Sequence, residues 1–121
     1  AGADFLITQL FFNNNAYYEF VNKARKQGIT CRIIPGIIPI TGFKQIKRFV
    51  DMASTSFPQD LREKLELYQD DAEKSYQIGV NHAIKQCIDL LEHGAPGIHF
   101  YTLNKSRAAV DVFESLPRTV R

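Results

Sequence analysis

The sequence predicts an α/β protein of three consecutive βα units, the C-terminal portion of a (β/α)₈ barrel. Two observations carry that expectation. Three short apolar runs, Phe5 to about Leu10, Ile29–Ile34 and Gly97–Tyr101, are each followed by apolar residues at helical spacing. The runs are also rich in Ile and Phe, as suits strands of a sheet covered on both faces. Repeated strand–helix units imply parallel strands with right-handed crossovers. No Gly-rich phosphate loop follows the first strand, which argues against a dinucleotide-binding half. A (β/α)₈ barrel needs roughly 250 residues. The 121 residues supply about three of its eight units.

Each element has its own signal. Ala1–Asp4 reads as a helix C-cap and the loop into a strand, so the chain is expected to begin inside a fold. Asn13–Asn15 end the first strand and offer N-cap side chains. Tyr17, Phe20, Val21 and Ala24 then mark the apolar face of a helix, with Glu19 toward solvent, and Gly28 ends it. Ile29–Ile34 is the second strand, stopped by Pro35-Gly36. The turn Pro35–Ile40 is so apolar that something must cover it.

Phe43, Ile46, Phe49, Val50 and Ala53 predict a helix over about 42–53. Pro58 opens a short helix carrying Leu61, Leu65 and Leu67. Asp70 with Glu73 resembles a capping box. It opens a long helix with Tyr76, Val80, Ala83, Ile84, Cys87, Ile88 and Leu91 facing inward, closed by Gly94. After the third strand, Asn104 is expected to cap a last helix with Ala108, Ala109, Val112, Phe113 and Leu116 inward. Residues 118–121 read as a frayed tail.

Composition narrows the function classes. A net charge of +2 gives no general basic field for nucleic acid or membrane. Lys44, Lys47 and Arg48 read as a solvated helix face. There is no run of 18 apolar residues for a membrane span and no visible signal peptide. Cys31 and Cys87 lie far apart in apolar patterns and read as buried free thiols in a reducing cytoplasm. His82, His93 and His99 are scattered, and no Cys/His cluster has metal spacing.

In such a barrel the chemistry lies at the C-terminal ends of the strands. Those ends carry Gln9 and Phe11, Pro35–Ile37, and Tyr101–Lys105. Gln45 and Phe49, four residues apart, share a helix face at the second strand's end. An amide both donates and accepts. Gln9 and Gln45, with two rings and the Lys105 cation, suit a flat heteroaromatic ligand with a carboxylate tail. Solvated amides, a core Phe49 and a barrel-filling Tyr101 are the ordinary alternatives. No acid, base or nucleophile stands out as catalytic. Asp70-Asp71 reads as capping, and Ser54, Ser56 and His99 form no nucleophilic arrangement.

Taken together, Ile7–Phe12, Ile33–Ile40, Gly42–Gln45 and His99–Asn104 resemble the methylenetetrahydrofolate reductase family over Ala1 to about Leu116. The His-Phe-Tyr-Thr-Leu-Asn and Pro-Gly-Ile-x-Pro strings carry most of the specificity. The resemblance implies a (β/α)₈ (TIM) barrel that binds FAD. It takes hydride from NADH or NADPH and reduces 5,10-methylenetetrahydrofolate to 5-methyltetrahydrofolate. It also implies that Gln9 contacts both folate and nicotinamide, and that Gln45 contacts folate. Phe49 would stack on folate or nicotinamide, and Tyr101 and Leu103 would line the site. Lys105 stands where the family commonly has Arg, keeping the charge but losing the planar fork.

The family's general acid and most of its FAD contacts come from earlier strands. No catalytic acid is therefore expected in residues 1–121, which read as the C-terminal part of one reductase domain, inactive alone. A homo-oligomer is the family's usual state. The alternative is a free-standing, non-enzymatic binding or structural module on the same scaffold. It would need polar residues guarding the open sheet edges, and few occur in Phe5–Phe12 or Ile33–Ile40.

Overall fold

In the computed structural model, residues 5–44, 46, 48, 57–101 and 107–116 are described. Strand β1 (Phe5–Leu10) leads to helix α1 (Asn14–Lys26) and strand β2 (Arg32–Ile37). Helices α2 (Gln59–Leu67) and α3 (Ala72–Glu92) follow, then the short strand β3 (His99–Phe100) and helix α4 (Arg107–Ser115). The strands form one parallel sheet in the order β1-β2-β3. The expected α/β class and three-unit order therefore hold among the described residues. Phe43, Lys44, Ile46 and Arg48 are helical, within the span where a helix is expected. Ala1–Asp4, the Asn104 cap and the tail lie outside the described residues.

The ends of α1 follow from local chemistry. The Asn13 side chain accepts from the Asn15 N–H at 3.0 Å, satisfying one orphan donor of the first turn. At the other end Gly28 takes φ +86°, a conformation that favours glycine. Ile29 N–H reaches Ala24 O at 2.9 Å and Gly28 N–H reaches Arg25 O at 3.1 Å, a Schellman closure. Helix α3 closes the same way: Gly94 has φ +93°, with Ala95 N–H on Leu90 O at 3.0 Å. Its N-cap is Asp71 rather than Asp70. The Asp71 carboxylate accepts from the Lys74 N–H, and with lysine at that third position no reciprocal capping box forms.

Strand β2 runs three residues later than expected, and Pro35-Gly36 lies inside it. A proline in a central strand should interrupt the ladder, because it has no N–H to give. Here β1 absorbs the break. Ile7 pairs with Ile34 and Leu10 pairs with Gly36, so β1 carries one extra residue and Pro35 falls in the gap.

The α3 face is broader than the expected stripe. Val80, Ala83 and Cys87 are buried and Tyr76, Ile84, Ile88 and Leu91 pack partly buried against the same core, as expected, but Ser75, Gly79, Gln86 and Leu90 are buried as well. Gly79 accounts for part of the difference. A Cβ there would lie 1.6 Å from the Ile40 carbonyl oxygen, so α3 meets the segment after β2 backbone to backbone. That contact helps cover the apolar Pro35–Ile40 segment, expected as a turn but strand as far as Ile37, which is buried throughout.

The core falls in two clusters. One joins Ile33 and Ile37 of β2 to Val80, Ala83, Cys87 and Leu90 of α3 and to Val112 of α4. The other gathers Phe12, Ile38, Ile40, Ile46, Leu61 and Leu65. Each fully buried branched aliphatic contributes roughly 1.5–3 kcal/mol. Cys87 is buried as expected, and burial pushes its thiol up to about 12. Cys31 is free but only half-buried, because it precedes β2 rather than lying in it. Strand β1 is one edge of the described sheet, and Phe5, Leu6 and Ile7 on it are 52%, 36% and 41% exposed.

Candidate functional site

The C-terminal ends of the three strands are tied together at Thr8, Gly36 and Tyr101. The Thr8 hydroxyl accepts from the Gly36 N–H at 2.9 Å. It takes the place of a ladder carbonyl where β1 bulges. The Tyr101 N–H continues the β2–β3 ladder by donating to Ile37 O at 2.9 Å. The Tyr101 hydroxyl then reaches across β2 and donates to Thr8 O at 3.0 Å. Its ring lies over Gly36, where a Cβ would sit 2.5 Å from Tyr101 Cε2 and 2.8 Å from Thr8 O. Glycine is thus required at 36 by close approach.

Gln9 follows Thr8 in the bulge, and its side chain is exposed. A bulge re-aims side chains and interrupts pairing. Tyr101 is half-buried, with its ring edge against His99 at 4.7 Å between centroids. Of the expected site residues, Gln9 and Tyr101 converge on this end of the sheet. Gln45, Phe49, Leu103 and Lys105 lie outside the described side chains.

The aromatic surface expected beside Gln9 is not supplied by Phe11. Phe11 is 4% exposed and stacks on Tyr17 at 5.8 Å. Phe12 is 2% exposed and packs on Phe57 at 4.9 Å. Both rings are core, because the chain leaves the sheet inward after Leu10. Among the described residues, the half-buried Tyr101 supplies a ring at the strand ends.

Helix α3 holds the turn behind Gln9 through a row of polar side chains that sequence reasoning missed. Gln86 is buried and its amide donates to Phe11 O at 3.1 Å. The His82 Nε2 lies 3.3 Å from Phe12 O, which requires an Nε2–H donor. Burial pushes the His82 pKa down, opposed in part by that hydrogen bond. The Asn14 amide donates to Gln86 O at 3.0 Å and to the Asp89 carboxylate at 2.8 Å. Tyr18 OH donates to the same carboxylate at 2.7 Å. The Asn14 and Tyr18 hydrogen bonds hold Asp89 below the ordinary carboxylate range, and burial with the same Asp89 contact raises Tyr18. One signal could have found this row. Gln86 stands between Ala83 and Leu90 on a face otherwise apolar, and a buried amide needs partners.

Chemically, the described end offers an exposed amide, a phenol ring and backbone groups locked by hydrogen bonds. Such a surface can orient a flat ligand. Among the described residues no group of His, Cys, Asp or Glu could hold a metal ion. No helix among them is long and apolar enough to cross a membrane.

Comparison of the sequence with known proteins identifies a family. The family model described as "Methylenetetrahydrofolate reductase" matches residues 1–117. The chain is 37% identical over 116 residues to "Methylenetetrahydrofolate reductase (NADH) 1" of Arabidopsis thaliana, covering 96% of this chain and 20% of the relative. It is 40% identical over 117 residues to "Probable methylenetetrahydrofolate reductase (NADPH)" of Caenorhabditis elegans, covering 96% of this chain and 18% of the relative. It is 36% identical over 116 residues to "5,10-methylenetetrahydrofolate reductase" of Escherichia coli (strain K12), covering 96% and 39%. The chain thus spans well under half the length of these relatives.

Proposed function

Because this chain belongs to the methylenetetrahydrofolate reductase family, we propose that it is part of an enzyme reducing 5,10-methylenetetrahydrofolate to 5-methyltetrahydrofolate with NADH or NADPH. On this reading residues 1–121 are the C-terminal part of one (β/α)₈ reductase domain. They carry the folate- and nicotinamide-facing side of its site. The observation that carries the proposal is the exposed Gln9 amide, set in a bulge beside Tyr101 at the C-terminal ends of parallel strands. That is where barrel enzymes bind their substrates.

The division of labour follows from the side chains. The Gln9 amide donates and accepts, so it can read the edge of a pterin or a nicotinamide carboxamide. Gln45 would hold the pterin from the other side, Phe49 would supply stacking area, and Tyr101 and Leu103 would line the site. Lys105 would meet the carboxylates of the glutamate tail as a point charge, without the bidentate geometry of arginine. Holding the reacting atoms to about 3–3.5 Å is the main contribution asked of these residues.

The exposed amide and adjacent phenol fit the rim of a flat heteroaromatic group such as FAD. A bound flavin supplies the hydride relay between nicotinamide and folate. Its further contacts and the general acid are assigned to strands outside this chain. The exposed Phe5, Leu6 and Ile7 on edge strand β1 support this division, because an apolar sheet edge calls for another strand. They disfavour a free-standing module. The two free cysteines accord with a reducing cytoplasm, and family practice suggests a homo-oligomer.

The test is steady-state reduction of methylenetetrahydrofolate by the intact protein, with a flavin absorbance scan. NADH or NADPH oxidation that depends on the folate is expected, and Gln9→Ala should lower kcat/KM about tenfold or more, roughly 1.4 kcal/mol. Gln45→Ala should raise the folate KM more than the nicotinamide KM. Folate-independent oxidation, or a Gln9→Ala enzyme equal to the parent, would overturn the proposal. Residues 1–121 alone should self-associate and show no turnover.

A further inference from the structure

At the opposite end of the sheet a cavity of about 360 Å³ opens between α1, the start of β2 and the loop before β3. Two Schellman turns border it, one leaving α1 through Gly28 and one leaving α3 through Gly94. Its lining includes Arg25, Arg32, Tyr18, Asn22, His93 and Pro96, and among the described residues no carboxylate. The volume falls in the range of small-molecule sites.

The arginines decide what could bind. Arg25 Nη1 donates to Ile29 O at 2.8 Å and to Cys31 O at 2.9 Å. Both protons of that nitrogen are thereby used, and the Nε and Nη2 donors remain. The guanidinium is held in place before any ligand arrives, so little side-chain entropy is lost on binding. Arg32 heads β2 with an exposed side chain and makes no side-chain hydrogen bond among the described residues. His93 is engaged by Asp89 at 3.3 Å, so that carboxylate is answered within the protein.

The helix termini work against an anion here. The C-terminal ends of α1 and α3 each present roughly half a negative charge. Two guanidiniums outweigh that, which makes anion binding here depend on arginine side chains rather than on backbone donors. Apart from Asn22 the rest of the described lining is mainly aromatic and aliphatic: Tyr18 and His93 have ring centroids 5.7 Å apart, and Pro96 and Val21 also line the cavity.

We propose that this cavity is a second binding site, for a small organic anion: a carboxylate or phosphate on a compact, flat, apolar body. It lies at the N-terminal end of the strands, away from Gln9 and Tyr101, and is independent of the reductase reading. The geometry favours a bidentate grip by Arg25 with Arg32 as the second charge.

The experiment is calorimetric titration of the intact protein, in phosphate-free buffer, with phenyl phosphate and separately with benzoate. Saturable binding of at least one probe is expected. The Arg25→Gln/Arg32→Gln double variant should weaken it at least tenfold and Arg32→Gln alone severalfold, while Gln9→Ala leaves it unchanged. Because Arg32 is exposed, its variant should fold normally and keep the parent's turnover. Preference for phenyl phosphate assigns a phosphate ester as the ligand class, and preference for benzoate a carboxylate. No saturable binding of either probe through the millimolar range, or binding that ignores Arg32→Gln or falls with Gln9→Ala, would overturn the proposal.

Discussion

The Tyr101 hydroxyl donates to the Thr8 carbonyl at 3.0 Å and so links the chain after β3 to β1 across the intervening strand. The phenol is therefore a strut as well as a lining ring. Tyr101→Phe keeps the ring and removes one hydrogen bond. It should cost about 1 kcal/mol of stability, read as a lower urea midpoint with an unchanged slope. An unaltered midpoint would mean that water replaces the strut without loss.

Gly36→Ala tests the close approach from the other side. The added methyl would meet both the Tyr101 ring and the Thr8 carbonyl. Overpacking of this kind costs typically 1–3 kcal/mol. Adding Tyr101→Ala should restore only part of the loss, because the carbonyl contact at 2.8 Å remains. Full restoration in the double variant would show that the ring alone excludes a side chain at 36.

These residues also show what the sequence could reveal. The three-unit order was legible because Gly28, Gly94 and Asn13 end or begin helices by local chemistry. The position of Gln9 at a strand end was legible for the same reason. The register was not. Pro35-Gly36 reads locally as a stop, and only the extra β1 residue opposite lets the strand continue through it. Phe11 looked like ligand surface because a ring beside an amide carries no mark of which way the chain turns. The full width of the buried α3 face was not legible either, because Gly79, with no side chain to weigh, sets the closest contact. Partners distant in sequence decided each of these.

His82 makes stability depend on pH in a defined direction. Burial lowers its pKa in the folded state, so the unfolded chain binds the proton more readily. Stability is then fully present above the unfolded value of about 6.5 and falls as pH drops from there toward the folded value. Chemical denaturation between neutral and mildly acid pH should show this slope, and His82→Gln should flatten it. Asp89 acts in a separate, lower window. Its folded pKa is depressed by Asn14 and Tyr18, so its contribution is present above the ordinary carboxylate value and is lost only below it. A slope unchanged by His82→Gln would place the sensitive group elsewhere.

Gln86 joins stability to the site most directly, because its amide holds the Phe11 carbonyl two residues beyond Gln9. Gln86→Leu keeps the volume and strands that carbonyl in the core. The cost should be about 1–3 kcal/mol, and the turn that sets Gln9 should loosen with it. Gln86→Glu should be worse at neutral pH, since an ionised carboxylate can only accept and would face a carbonyl oxygen. Acidification should then recover part of the Glu variant's stability, because a protonated acid regains the donor, whereas the Leu variant has no donor to regain. On the proposed function, both variants should raise the folate KM in the intact enzyme. Wild-type stability in Gln86→Leu would show that the Phe11 carbonyl finds another donor and that α3 does not position the end of β1.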